Sequence, residues 1–304
     1  MIEEDVNDKW ECYLCCKEED FEVLPSGYLA NYHPLCPRCA DYIFYDKNHS
    51  QHSRMTFHEC VGDIRKSKSV AAFPLNEFPN DFPYLLGKEL IYLLASKGKP
   101  ELEGSDWENI FANCISAEWK PSNVGLDDVV MGNTAWGAKT VKATSPSKQK
   151  KVRLISGRNS PVYSFGERID IEANPELVGK LVLDIWNERV SAIREKFKHL
   201  RMVVLMKSND LSEVCIFEFE TIRYDHELFQ WKWNKNHNLI GIDKKTNEHR
   251  FTWQPHGSQF TIIEKVPDKK LIIRIKQPER LNKEKVLLAL GFDKSWITVI
   301  KQNG

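Results

Sequence analysis

Between Ser105 and Lys142 the chain carries Glu108 in a stretch of helical periodicity, the acidic pair Asp127-Asp128, and Lys139 within an alternating apolar run. Hard divalent cations such as magnesium prefer carboxylate oxygens, and a bound cation polarises a phosphoryl oxygen and lowers the pKa of an attacking water. A lysine beside the scissile phosphate stabilises the charge that develops there or orients the water. Acids and a lysine held together in this way are the equipment of metal-dependent phosphodiester hydrolysis.

The elements that would position them are readable. Val129-Val130-Met131 and the run Ala135 to Val141 alternate as strands, and Gly132-Asn133 between them suits a tight hairpin turn. Such a hairpin sets Asp128 and Lys139 on neighbouring strands. Upstream, Trp107, Ile110, Phe111, Cys114 and Ile115 recur at helical spacing, with Ser105 or Asp106 as N-cap and Glu108 in the first turn. Lys139 lies between Ala138 and Thr140 in a strand that also carries Trp136 and Val141, so its charge is expected to be partly buried and to need a reason.

A helix bearing a glutamate, followed by a hairpin with an aspartate and then a lysine, resembles the PD-(D/E)XK nuclease superfamily, and within it the type II restriction endonucleases. The matching positions are Glu108, Asp128, with Asp127 as the alternative, and Lys139. The resemblance spans roughly Leu85 to Arg223. It implies a mixed central sheet flanked by helices, a catalytic magnesium held by Asp128 and Glu108, and Lys139 as the water-orienting or charge-stabilising group. One position departs from the pattern: Gly137 stands two residues before the lysine, where the family carries a carboxylate. Glu108 or another acid, among them Glu118, Glu218 and Glu220, would have to replace it, unless the metal is held by fewer protein oxygens.

Four of the eight cysteines form Cys12-x2-Cys15 and Cys36-x2-Cys39, the paired spacing that offers four thiolates to one tetrahedral zinc, with Cys16 as an alternative ligand beside the first pair. The N-terminus has neither a basic nor an apolar leader segment, no apolar run reaches membrane-spanning length, and a cytoplasmic location follows as the expectation. In that compartment thiols stay reduced, which favours metal over disulfides. His49, His52, His58 and Cys60 are too irregularly spaced for a second zinc to be the default. His33, flanked by Tyr32 and Pro34, lacks the neighbouring acid of a zinc-supported HNH nuclease.

The 304 residues carry 43 basic and 43 acidic side chains, so no global basicity marks a polyanion partner and any nucleic-acid contact must be local. The chain divides into a zinc module over 1–65, a nuclease core over 66–225 and a β-rich recognition region over 226–304. Ser67 to Leu86, rich in Pro, Phe and Asn, reads as an extended connector, and Gly87 to Ser96 as a helix broken at Gly98-Lys99-Pro100. Asn174-Pro175-Glu176 starts a helix expected to run to about Lys198, burying Leu177, Leu181, Ile185, Val190, Ile193 and Phe197. The overall class is α/β of the α+β kind.

Candidate base-reading side chains are Arg158 and Asn159 in a polar loop, and Lys232, His256 and Gln259 on the C-terminal hairpins, where Trp231 and Trp233 share one strand face. The expected activity is magnesium-dependent, sequence-specific cleavage of double-stranded DNA. A homodimer with one site per strand and a DNA methyltransferase as genomic neighbour go with it. The competing expectation is a non-catalytic zinc-containing DNA- or RNA-binding protein in which the acids and lysine are structural.

Overall fold

The computed structural model describes residues 9–11, 18–20, 27–29, 33–35, 70–120, 125–165, 174–298 and 300. Near the N-terminus, β1 (Lys9–Glu11) pairs antiparallel with β2 (Glu18–Asp20), and β3 (Gly27–Leu29) with β4 (His33–Leu35). The two cysteine pairs, between β1 and β2 and just after β4 in the chain, lie outside the described residues, as do His49, His52, His58 and Cys60.

From residue 70 onward the chain forms a mixed α+β structure. Helices α1 (Phe82–Lys97) and α2 (Gly104–Cys114) precede β5 (Glu118–Trp119), β6 (Val129–Met131), β7 (Thr134–Lys142) and β8 (Lys151–Arg158). Then come α3 (Pro161–Phe165), α4 (Pro175–Arg194), β9 (His199–Lys207) and β10 (Glu213–Glu220). The C-terminal part contributes β11 (Phe229–Trp233), β12 (Leu239–Asp243), β13 (His249–Gln254), β14 (Gln259–Lys265), β15 (Leu271–Arg274) and α5 (Lys283–Ala289).

A six-stranded sheet has the order β15-β10-β9-β7-β6-β5, and a five-stranded antiparallel sheet the order β11-β12-β13-β14-β8. In the first sheet only β7 and β9 run parallel, paired from Thr134↔His199 to Lys142↔Lys207. All nine residues of β9 are buried, as expected of a strand covered on both faces. One face packs Trp136, Val203 and Ile216 against Phe82 and Leu90 of α1 and Trp107 and Phe111 of α2. The other packs Ala135, Met202 and Phe217 with Val182 and Trp186 of α4, and this core continues into Trp231, Phe251 and Phe260 of the five-stranded sheet. Gly179 permits that continuation, because a Cβ there would lie 2.2 Å from the Trp231 ring.

Several expectations shift. The connector yields its last turn to a helix: α1 begins at Phe82, since Pro83 is compatible with a first helical turn and Phe82, Leu86, Leu90 and Leu93 form one buried stripe. Helix α4 starts as expected, with Asn174 Oδ1 accepting from the Glu176 and Leu177 N–H groups at 3.0 and 3.2 Å, but it ends at Arg194. Its first buried positions are Val178 and Gly179, whereas Leu177 is 48% exposed, because the helix presents its face to two sheets at once. The division at 225 is crossed twice, by β8 joining the C-terminal sheet and by β15 returning to pair with β10. Among the described residues no helix is long and apolar enough to cross a membrane.

Candidate active site

The hairpin forms as the turn chemistry indicates, with Val129↔Trp136 and Met131↔Thr134 in register and Gly132 at φ +57°. Asp128 immediately precedes β6 and is 2% exposed. Its Oδ2 accepts the Ala138 N–H at 3.0 Å and stands 3.6 Å from the Lys139 ammonium. Lys139 also donates to the Gly125 carbonyl at 3.0 Å and the Ala138 carbonyl at 3.1 Å. The partly buried lysine expected from the strand pattern therefore exists, and a carboxylate and two carbonyls are its partners.

Glu108 approaches from α2. The helix begins earlier than expected: Glu103, not Ser105 or Asp106, is the N-cap, with Asp106 Oδ2 accepting the Glu103 N–H at 2.9 Å. Glu108 consequently sits in the second turn, half-buried, and its Oε2 accepts from Trp119 Nε1 of β5 at 3.3 Å. Burial raises the Asp128 carboxyl above the usual aspartate range; Lys139 and the Ala138 N–H oppose that shift, and the negative charges of Glu108 and Asp127 reinforce it. Asp127 is 7% exposed, and its Oδ1 is buried without a hydrogen-bond partner. The charges of Glu108, Asp127 and Lys139 thus all bear on the Asp128 carboxylate. Among the described residues, no three His, Cys, Asp or Glu side chains lie close enough to hold a metal ion among themselves.

The other acids considered for the place of the missing carboxylate are elsewhere. Glu218 and Glu220 on β10 bind Arg201 of β9 at 3.3 and 3.2 Å, and Glu118 is exposed on the short edge strand β5. Gly125 was not legible as part of the site. Its carbonyl holds Lys139, and no signal beyond a glycine shortly before the acid pair points to it.

The expected base-reading residues separate. Arg158 and Gln259 are direct cross-strand partners on β8 and β14, and His256 is exposed in the turn before β14. Lys232 is exposed on β11 at the opposite edge of that sheet. Trp231 and Trp233 share the other face of their strand, and Trp231 packs on Gly179 of α4, so strand alternation turns Lys232 and Gln259 away from the helix, and Arg158 shares that side as the cross-strand partner of Gln259. Asn159 is a correction: it is fully buried, Nδ2 donating to the Val182 carbonyl at 2.9 Å and Oδ1 accepting from Arg189 at 3.1 Å. Its carbonyl accepts Trp253 Nε1 at 2.7 Å. These bonds leave the side chain no route to a base edge; it fixes the β8 end against α4.

Comparison with known proteins adds no name to this geometry. No family model, no curated protein and no solved structure matches the chain.

Proposed function

We propose that this chain is a magnesium-dependent, sequence-specific double-stranded DNA endonuclease of restriction type. The observation that carries the reading is the buried Asp128 paired with Lys139 at 3.6 Å, with the charges of Glu108 and Asp127 bearing on the same carboxylate. The six-stranded mixed sheet, with helices on both faces and the acid and lysine on one hairpin, accords with a restriction-endonuclease-like core.

Magnesium keeps several waters and is commonly held by one or two carboxylates together with substrate phosphates, so the pair of carboxylates here suits it without a third protein ligand. Asp128 is the principal candidate to hold it, with Glu108 as a ligand or as an acid flanking the ion. When bound, the ion supplies Lewis-acid polarisation and a water of lowered pKa. Lys139, fixed by the Gly125 and Ala138 carbonyls, presents its ammonium where negative charge accumulates as the phosphodiester opens. Burial keeps bulk water from screening these charges.

For recognition, the face of the five-stranded sheet turned away from α4 offers Arg158, Gln259 and Lys232, with His256 at its end. The spacing of Cys12, Cys15, Cys36 and Cys39, set around two short hairpins, supports a structural zinc in the N-terminal part. Cleavage of both strands goes with a homodimer, and a cognate methyltransferase with a restriction role.

The rival reading, a non-catalytic zinc-containing DNA- or RNA-binding protein, draws on the same bonds: Asp128 and Lys139 also staple the segment before β6 onto β7. Incubation of the full chain with long unmodified and methylated DNA, in magnesium and in chelator, separates the two. Discrete fragments in magnesium alone support the nuclease; retained binding with no cleavage of either DNA supports the rival.

A further inference from the structure

We infer that Asp127 is the second carboxylate that holds the cation, standing in for a side chain that β7 cannot carry at position 137. This rests on the metal-dependent reading above. Gly137 lies two residues before Lys139 and therefore on its face of the strand. A Cβ at that point would lie 2.8 Å from the Gly125 carbonyl oxygen and 3.1 Å from the Leu126 Cα. Both are backbone atoms, which cannot rotate aside. No carboxylate can be built there while the segment 125–128 crosses the strand as it does, so a second protein carboxylate must come from another element.

The segment that blocks position 137 brings acids of its own: besides Asp128 it carries Asp127, which has a buried oxygen without a hydrogen-bond donor. Its side chain is 93% buried, being 7% exposed, and the Oδ1 atom finds no hydrogen-bond donor. Leaving a carboxylate buried without a donor is costly, and the adjacent Asp128 adds a like charge to the same region. A hard dication placed between the two residues answers both costs at once. The other acids lie on more distant strands, are exposed, or already give an oxygen to a protein donor. Glu218 accepts from Trp136 Nε1 with one oxygen and from the Asn76 N–H and Arg201 with the other. Glu220 gives one oxygen to Arg201 and lies on β10, which β9 separates from β7, and Glu118 is exposed. Glu108 accepts from Trp119 with one oxygen, which leaves it a flanking part. The ligand class is an oxygen-seeking divalent cation, its remaining positions filled by water and substrate phosphate.

The test uses the zinc-loaded full chain with terbium(III) as probe, read by luminescence sensitised through the nearby tryptophans and competed with magnesium. Thermal melts accompany it in a mild oxygen-donor chelator that removes magnesium but leaves thiolate-bound zinc in place. Asp127→Asn should weaken terbium and magnesium binding by more than the roughly 10–100-fold that changes around a metal site already cause. In chelator it should melt higher than wild type, because a buried unpaired charge has gone. Glu118→Gln should leave both readouts unchanged. If Asp127→Asn binds terbium as tightly as wild type while wild type cuts DNA in magnesium, this inference fails and the nuclease reading stands. A lower melt in chelator would make Oδ1 a structural acceptor and overturns the inference even if affinity falls. If the wild-type chain neither binds terbium nor cuts DNA in magnesium, the nuclease reading fails and this inference with it.

Discussion

Glu218 on β10 and Asp127 before β6 are both carboxylates with almost no exposure, and the fold treats them in opposite ways. Each oxygen of Glu218 has donors: Trp136 Nε1 at 2.6 Å for one, the Asn76 N–H at 3.0 Å and Arg201 at 3.3 Å for the other. Asn76 returns the contact, accepting the Glu218 N–H at 2.6 Å, and Arg201 reaches the Phe73 carbonyl at 2.9 Å. That cluster binds the segment before α1 to the central sheet. Beside β6, by contrast, Lys139 pairs with Asp128 alone, and an oxygen of the neighbouring Asp127 is left over. A satisfied buried acid stiffens a fold, whereas an unsatisfied one stores a demand that a ligand can meet.

The contrast can be broken from either side. The largest effect belongs to the satisfied cluster: Arg201→Ala leaves two carboxylates without their cation and should cost about 3–5 kcal/mol of stability, measured by denaturant unfolding. A loss below about 1 kcal/mol would mean that the pair is replaceable, as exposed ion pairs are. At the other cluster, Lys139→Ala should lower the cleavage rate by roughly 10²–10³-fold, about 3–4 kcal/mol at the transition state, with DNA binding largely kept. Equal losses in binding and rate would make Lys139 a phosphate anchor instead.

The pH dependence of the satisfied cluster is the next smaller effect. Burial pushes the Glu218 carboxyl up to about 6, with Arg201, the Asn76 N–H and the Trp136 N–H opposing and Glu220 adding to the rise. A carboxyl raised in the folded state contributes stability that is present below its unfolded value near 4.5 and is lost as pH rises through about 6. The change is on the order of 2 kcal/mol. Glu218→Gln should flatten the stability profile across that window, and an unchanged slope would assign it to other groups.

On the five-stranded sheet the comparison is between neighbours. Arg158→Ala or Gln259→Ala should weaken binding to a preferred site by about 1–3 kcal/mol relative to random DNA if these side chains read bases. Asn159→Ala should instead lower the melting temperature and affect both DNAs alike, since the side chain is buried in bonds to Val182 and Arg189.

What was legible in the sequence was what local chemistry dictates. Gly132-Asn133 between alternating runs gave the hairpin, and Asn174-Pro175-Glu176 gave the start of α4, because turns and caps are decided within a few residues. The acids and lysine could be gathered on the same grounds. The rest depends on contacts between distant segments. Nothing within β7 tells that the Gly125 carbonyl will fill the space beside Gly137, twelve residues on. Asn159 looks like a polar loop residue until α4 and Trp253 close over it. The exchange of β8 and β15 between sheets is likewise a matter of tertiary pairing, which composition along the chain does not register.

The central claim is that Asp128 holds the ion on which phosphodiester cleavage depends. It is tested most directly by following Asp128→Ala, Asp127→Ala and the double variant through parallel cleavage and binding assays in magnesium. Asp128→Ala should abolish cleavage while DNA binding persists or strengthens, as negative charge leaves the site. Cleavage at the wild-type rate by Asp128→Ala would contradict the account, and the same rate in Asp127→Ala and the double variant would remove this hairpin from the active site.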